Sequence, residues 1–141
     1  MPKVDLTHAA RWMDALSDAI GAGVVRSCHD LSEGGLGVAL AEMAFAGGVG
    51  ADVDLGFVPV DGPIERSDAV LFSESPTRWI CEVAPQDQGR FETLLRGVPH
   101  SQIGQTTKME RLRVRGLAGS LVVDLPLGEL KRAWQGTLRE V

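Results

Sequence analysis

Residues 35–46, GLGVALAEMAFA, carry one charge, Glu42, and lie between the glycine pairs Gly34–Gly35 and Gly47–Gly48. Leu36, Leu40 and Met43 recur at helical spacing, so a helix is expected that Gly47–Gly48 stops. A helix apolar nearly all round must be covered on most sides. The fold therefore has to place other layers around residues 35–46.

The flanking segments supply candidates for those layers. Residues 5–20 show Leu6, Ala9, Met13, Leu16 and Ile20 at helical spacing, with Asp5 able to cap the start and Gly21 and Gly23 able to end it. Trp12 sits beside that stripe, where packing is its ordinary role. VVRSC, 24–28, reads as a strand running into HDLSEGG, and VGADVDL, 49–55, alternates as a strand does. Residues 56–69, with Pro59, Gly62 and Pro63, are the least regular and suit a functional or mobile loop. AVLFSESPTRWICEVA, 69–84, reads as two strands broken at Ser73–Pro76. Pro85–Leu95 is expected to be a helix with Phe91, Leu94 and Leu95 inward. Between His100 and Leu125 three strands are expected, SQIGQT, RLRVR and SLVVDL. Pro126 then opens a last helix bearing Leu127, Leu130 and Trp134. The order α, β, α, β, β, β, α, β, β, β, α predicts an α+β fold, a mixed β-sheet layered with α-helices. At 141 residues the chain is expected to be one domain, 1–141, with a real core and no internal repeat.

Charge and cysteine usage exclude several classes. Net charge is −5, from 14 basic and 19 acidic residues, which argues against nucleic acid as partner. Lys108, Arg111, Arg113 and Arg115 form the one basic cluster. The arginines alternate and would share one strand face, either simply solvated or phosphate-binding. Cys28 and Cys81 lie in apolar strand-like runs with no CxxC, so a zinc site is not expected. Both are expected to be buried, inert, reduced thiols, which suits a cytoplasmic protein. Residues 1–14 are too polar for a signal peptide, and no apolar run reaches the ~20 residues of a membrane span.

Seventeen glycines, about 12% against a usual ~7%, imply tight turns or close backbone approaches. One glycine pair closes HDLSEGG, residues 29–35. A Gly-Gly at a helix N-terminus offers free N–H groups and the positive end of the dipole, a setting that favours phosphate. Neither GxGxxG nor GxxxxGK[ST] is present, no lysine is near, and Asp30 and Glu33 would repel a phosphate unless Mg²⁺ bridged them. The plain structural reading is that Asp30 or Ser32 caps the helix and the glycines make a sharp turn. SESP, residues 73–76, is a second polar break in an apolar context. Its serines and glutamate suit a phosphate or ribose, or simply a turn set by Ser-Pro. No G-x-S-x-G nucleophile is present, and Cys28 and His29, as strand neighbours, point to opposite faces. The carboxylate pairs Asp30/Glu33 and Asp52/Asp54 are near in sequence, and nothing singles out either.

VVRSCHDLSEGGLGVALAEMAFAGGVGADVDL followed by LFSESPTRWICEV closely resembles the C-terminal domain of the phosphoribosylformylglycinamidine synthase (FGAM synthase) family, within the AIR synthase-related superfamily. The likeness extends through the first helix and the closing DLPLGELKRAWQG, essentially the whole chain. It implies an α/β layered, AIR synthase C-terminal-domain-like fold. It also implies a part in a purine-biosynthesis ligase that converts formylglycinamide ribonucleotide (FGAR), ATP and glutamine-derived ammonia to FGAM. By the internal pseudo-symmetry of that family, Asp30 is the metal candidate, and Ser73, Glu74 and Ser75 are ligand-binding candidates; Gly34 and Gly35, at the helix N-terminus, are the other ligand-binding candidates. The corresponding cleft there is an auxiliary nucleotide site or a vestigial one. Mg²⁺ and ATP or ADP serve the full enzyme, and none is assigned to this chain alone. No catalytic residue is assigned. The family's ATP-binding N-terminal domains are absent, so the chain is expected to be a fragment or one piece of a split enzyme, inactive alone. Its start at Met1–Pro2, ahead of the first helix, fits a cut at a domain boundary. Those N-terminal domains, in cis or as a split chain, are the expected partners, with a homodimer as a further possibility. The alternatives are the C-domain of AIR synthase or of a selenophosphate or thiamine-phosphate kinase, or a non-catalytic binding module.

Overall fold

The computed structural model describes residues 5–136; Met1 and Pro2 lie outside them. Leu6–Gly21 forms α1, capped by Asp5, whose carboxylate accepts from the N–H groups of Thr7 at 2.9 Å and His8 at 3.3 Å. Val25–Asp30 is β1 and Gly35–Gly47 is α2. Gly50–Asp54 is β2, followed by a 3₁₀ turn at Leu55–Phe57. Ser67–Phe72 is α3, Trp79–Val83 is β3, and a 3₁₀ turn at Pro85–Asp87 leads into α4, Gln88–Leu94. Gly104–Thr107 is β4, Arg111–Arg115 is β5, Leu121–Pro126 is β6 and Leu127–Gly136 is α5.

Two of these elements differ from the sequence expectation. AVLF is the end of helix α3 rather than a strand. A four-residue apolar run carries no periodicity that separates the two, and consecutive Val70 and Leu71 are both buried, which a half-exposed strand does not allow. Helix α1 is rotated from its expected face. Leu16 and Ala19 are buried and Ala9 and Trp12 half-buried, while Leu6, Met13 and Ile20 face out.

The strands form two sheets. β1 and β3 pair antiparallel, with Cys28 opposite Cys81 and Asp30 opposite Trp79. The larger sheet has the order β4-β2-β5-β6, in which β2 and β5 run parallel and the other pairs antiparallel. This mixed sheet with packed helices is the expected α+β architecture. Helix α2 is the hub, touching α3, α5, β1, β2, β3 and β5. Its Leu36, Ala39, Leu40 and Ala44 join Val53, Leu55, Val70, Leu71, Leu112, Val114 and Leu127 in the main core. A smaller core of Ala19, Val24 and Leu95 joins α1 to α4. The demand that residues 35–46 be covered on most sides is thus met by both sheets and two helices.

The arginines of β5 are not a phosphate patch. Arg113 forms a two-pronged pair with Asp52, at 2.6 Å and 2.5 Å. Arg111 donates to Asp124 at 2.8 Å, and Arg115 donates to the Gly119 carbonyl at 2.6 Å with Asp54 at 3.8 Å. The Arg113 hydrogen bond outweighs a small desolvation cost and holds the Asp52 carboxyl below its usual range. The face is a cross-strand ladder of matched charges.

Candidate functional site

HDLSEGG and SESP meet. Strand β1 carries His29 and Asp30 to its end, the chain turns through Leu31–Glu33, and Gly34, in the left-handed region at φ +75°, stands just ahead of α2 as its N-cap. No side chain of HDLSEGG caps this helix. The Gly34 N–H instead donates to Glu74 Oε1, 2.9 Å away and 40 residues further along the chain. This corrects the expectation that Asp30 or Ser32 is the cap. Gly35, at φ +59°, lies so close to the end of α3 that a Cβ there would sit 2.6 Å from the Ser73 carbonyl oxygen. The two glycines thus serve a left-handed turn and a close helix-to-loop approach.

The SESP loop is itself braced. Ser73 and Ser75 hydroxyls are 2.9 Å apart. Arg78 donates to the Ser73 carbonyl at 3.2 Å, and its own carbonyl accepts from Leu31 N–H at 3.0 Å, tying the loop back to HDLSEGG. Burial pushes the Arg78 guanidinium pKa down. Thr77 has φ +62°, the one non-glycine residue in that region among the described residues, and a strained conformation for a β-branched side chain. Neither Thr77 nor Arg78 was singled out by the sequence, since a bare Thr-Arg after Ser-Pro carries no local signal.

A second network runs along the inner side. His29 Nε2 lies 2.8 Å from one Glu42 oxygen, and Trp134 Nε1–H donates to the other at 2.8 Å. The Trp134 ring packs at 5.7 Å from that of Phe45. His29 Nδ1 is 2.7 Å from the Asp30 carbonyl oxygen. Partial burial pulls the His29 pKa down, but the Asp30 carbonyl and the Glu42 carboxylate outweigh it, so the pKa is raised above 6.5. The lone charge of α2 therefore links β1 to α5.

The candidate residues separate into two groups. Ser73 and Ser75, with His29, Glu42, Arg78 and Trp134, line a cleft of about 1610 Å³. Asp30, Gly34, Gly35 and Glu74 are not among its lining residues. The Asp30 side chain is 64% exposed, with His29 Nδ1 at 3.5 Å from its carboxylate. Among the described residues, no three His, Cys, Asp or Glu side chains are placed to hold a metal ion together. The thiols also depart from expectation: Cys28 is exposed and Cys81 half-buried, because Cys28 is on the outward face of β1. No helix among the described residues is long and apolar enough to cross a membrane.

Residues 2–116 match the family model described as AIR synthase related protein, C-terminal domain. The chain is 35% identical over its whole length to the phosphoribosylformylglycinamidine synthase subunit PurL of Deinococcus radiodurans, but spans only 18% of that protein. It superimposes on Thermotoga maritima PurL complexed with FGAR with a TM-score of 0.81 and 25% identity, over 92% of this chain and 22% of that one. For the same protein complexed with ATP the TM-score is 0.76 at 26% identity, over 84% and 21%.

Proposed function

The chain belongs to the AIR synthase-related C-terminal domain family, and from that premise we propose that it is the C-terminal domain of an FGAM synthase. The whole enzyme would be an ATP-dependent ligase of purine biosynthesis, turning FGAR, ATP and glutamine-derived ammonia into FGAM. The observation that carries this reading is the match of the full chain, at 35% identity, to the Deinococcus radiodurans synthase subunit. The likeness to Thermotoga maritima PurL, a protein seen with FGAR and with ATP, supports it.

In this reading the chain supplies part of a cleft, and ATP-binding N-terminal domains, in cis or as a split chain, supply the rest. Catalysis needs the reactants held together and charge stabilised at the reacting centre. The chain alone is therefore inactive, a cytoplasmic fragment or split piece. Mg²⁺ commonly takes one or two carboxylates and completes its shell with phosphate and water. The exposed Asp30 carboxylate fits that role as a single donor, and the ion would neutralise nucleotide phosphate charge there. Ser73, Ser75 and Glu74 would contact the ligand beside it. The test is FGAR- and ammonia-dependent ADP release by the purified chain, alone and with the rest of the synthase. Turnover is expected only in the second case. Turnover by the isolated chain, abolished by Asp30→Asn, would overturn the proposal.

A second reading is favoured by one contact. The Glu74 carboxylate already accepts from the Gly34 N–H, where a phosphate would otherwise bind. On that reading the joint is a structural relic of a ligand site.

A further inference from the structure

Cys28 and Cys81 stand opposite each other across the antiparallel β1–β3 pair, with their Sγ atoms 3.5 Å apart. Directly opposed antiparallel residues have Cα atoms about 4.5–5.5 Å apart, inside the ~4.4–6.8 Å range that a disulfide accepts. The backbone therefore already has the right spacing, and closure asks mainly for side-chain rotation. Cys28 is reachable from solvent while Cys81 sits half-buried behind it. An exposed attacking thiol beside a partly covered partner is the arrangement of a redox-sensing pair.

We propose that Cys28 and Cys81 form a reversible redox-modification site, in which Cys28 reacts with a small-molecule disulfide of the glutathione class and Cys81 resolves the adduct into a cross-strand disulfide. The Cys28 thiolate attacks one sulfur of the small disulfide, forming a mixed disulfide and releasing one small thiolate. The Cys81 thiolate then attacks the Cys28 sulfur, forming the Cys28–Cys81 bond and releasing the second. The two protons lost by the cysteines end on the two released thiols. One small disulfide is reduced and one protein dithiol oxidised. Cys28 takes the first step because it is the more accessible of the two sulfurs.

The bond would tie β1 to β3 close to the site. Asp30 pairs with Trp79, and Leu31 N–H bonds the Arg78 carbonyl, so both motif loops spring from the strand ends that oxidation would lock. The test uses the full chain incubated with oxidised glutathione near neutral pH, followed by thiol titration, intact mass and a non-reducing gel. Wild type should lose both thiols and the mass of two hydrogen atoms, stay a single chain on the gel, and be restored by dithiothreitol. Cys81→Ser should stop at a glutathione adduct on Cys28. Cys28→Ser should react roughly fivefold or more slowly, having lost the exposed thiol. A wild-type glutathione adduct that persists with Cys81 still titratable would overturn the proposal, as would two unreacted thiols or disulfides formed only between chains.

Discussion

Gly35 lies at φ +59°, and a Cβ there would meet the Ser73 and Leu71 carbonyl oxygens at 2.6 and 2.9 Å. Gly48, at φ +65°, has nothing within 4 Å of the same position. Both alanine variants meet the left-handed penalty of about 1–2 kcal/mol, but only Gly35→Ala must also push the end of α3 off α2. In urea melts Gly48→Ala is expected to cost about that penalty and Gly35→Ala above ~3 kcal/mol. Equal losses would mean that the close approach contributes nothing. The caps can be compared in the same way. Glu74→Ala removes the acceptor of the Gly34 N–H and should cost ~0.5–2 kcal/mol, whereas Asp30→Ala, at an exposed carboxylate, should stay within about 0.5 kcal/mol. Thermal melts with and without Mg²⁺-ADP then separate the two readings of the site. A rise in Tm for wild type that Asp30→Ala loses supports a ligand site, and no rise in either leaves the structural joint. That HDLSEGG and SESP mattered was legible in their polarity against apolar surroundings. That Glu74 would cap Gly34 was not, because a cap is sought within a few residues and this one arrives from 40 away.

Among the elements, α2 was the most legible, since a nearly chargeless run bounded by glycine pairs permits little else. Its one charge was not explained by sequence, because neither His29 nor Trp134 is within helical reach of Glu42. The link those three make between β1, α2 and α5 predicts a pH effect. The folded pKa of His29 is raised. Its contribution to stability is therefore fully present below the unfolded value near 6.5 and is lost as pH rises through the folded value. The charged groups facing the imidazole are Glu42 and Asp30. Glu42→Gln removes the closer partner and should flatten that dependence. Urea midpoints at about pH 6 and about pH 8 should show wild type exceeding Glu42→Gln by more at the lower pH. A constant gap between the two would mean that the charged pair is not what Glu42 contributes. Helix α3 and the rotation of α1 escaped the sequence for a different reason. Short apolar runs and helices rich in apolar residues leave more than one face that burial could choose, and tertiary contacts decide.

At the scale of the whole molecule, α1 has two apolar faces and uses one. Leu16 and Ala19 are buried, while Leu6, Met13 and Ile20 are 84%, 56% and 49% exposed. Residues seven apart lie within about 20° of each other around a helix, so these three form one outward stripe. On β6, an edge strand, Leu121, Val122 and Leu125 are exposed as well. Apolar surface of this kind is normally covered, and the chain spans only 18% of its Deinococcus radiodurans relative. In the isolated chain the available cover is a second copy. Light scattering of the purified chain should therefore rise with concentration. Replacing Leu6, Met13 and Ile20 together by glutamine should return it to the monomer value, and should leave the melting midpoint nearly unchanged because these side chains add little to the core. Leu16→Ala, one face round the same helix, should do the opposite, costing about 2–5 kcal/mol while leaving association in place as long as the chain stays folded. Association that survives the triple glutamine variant would move the contact off α1, with β6 the next surface to test. A strictly monomeric wild type at every concentration would show that the outward stripe is simply tolerated in water.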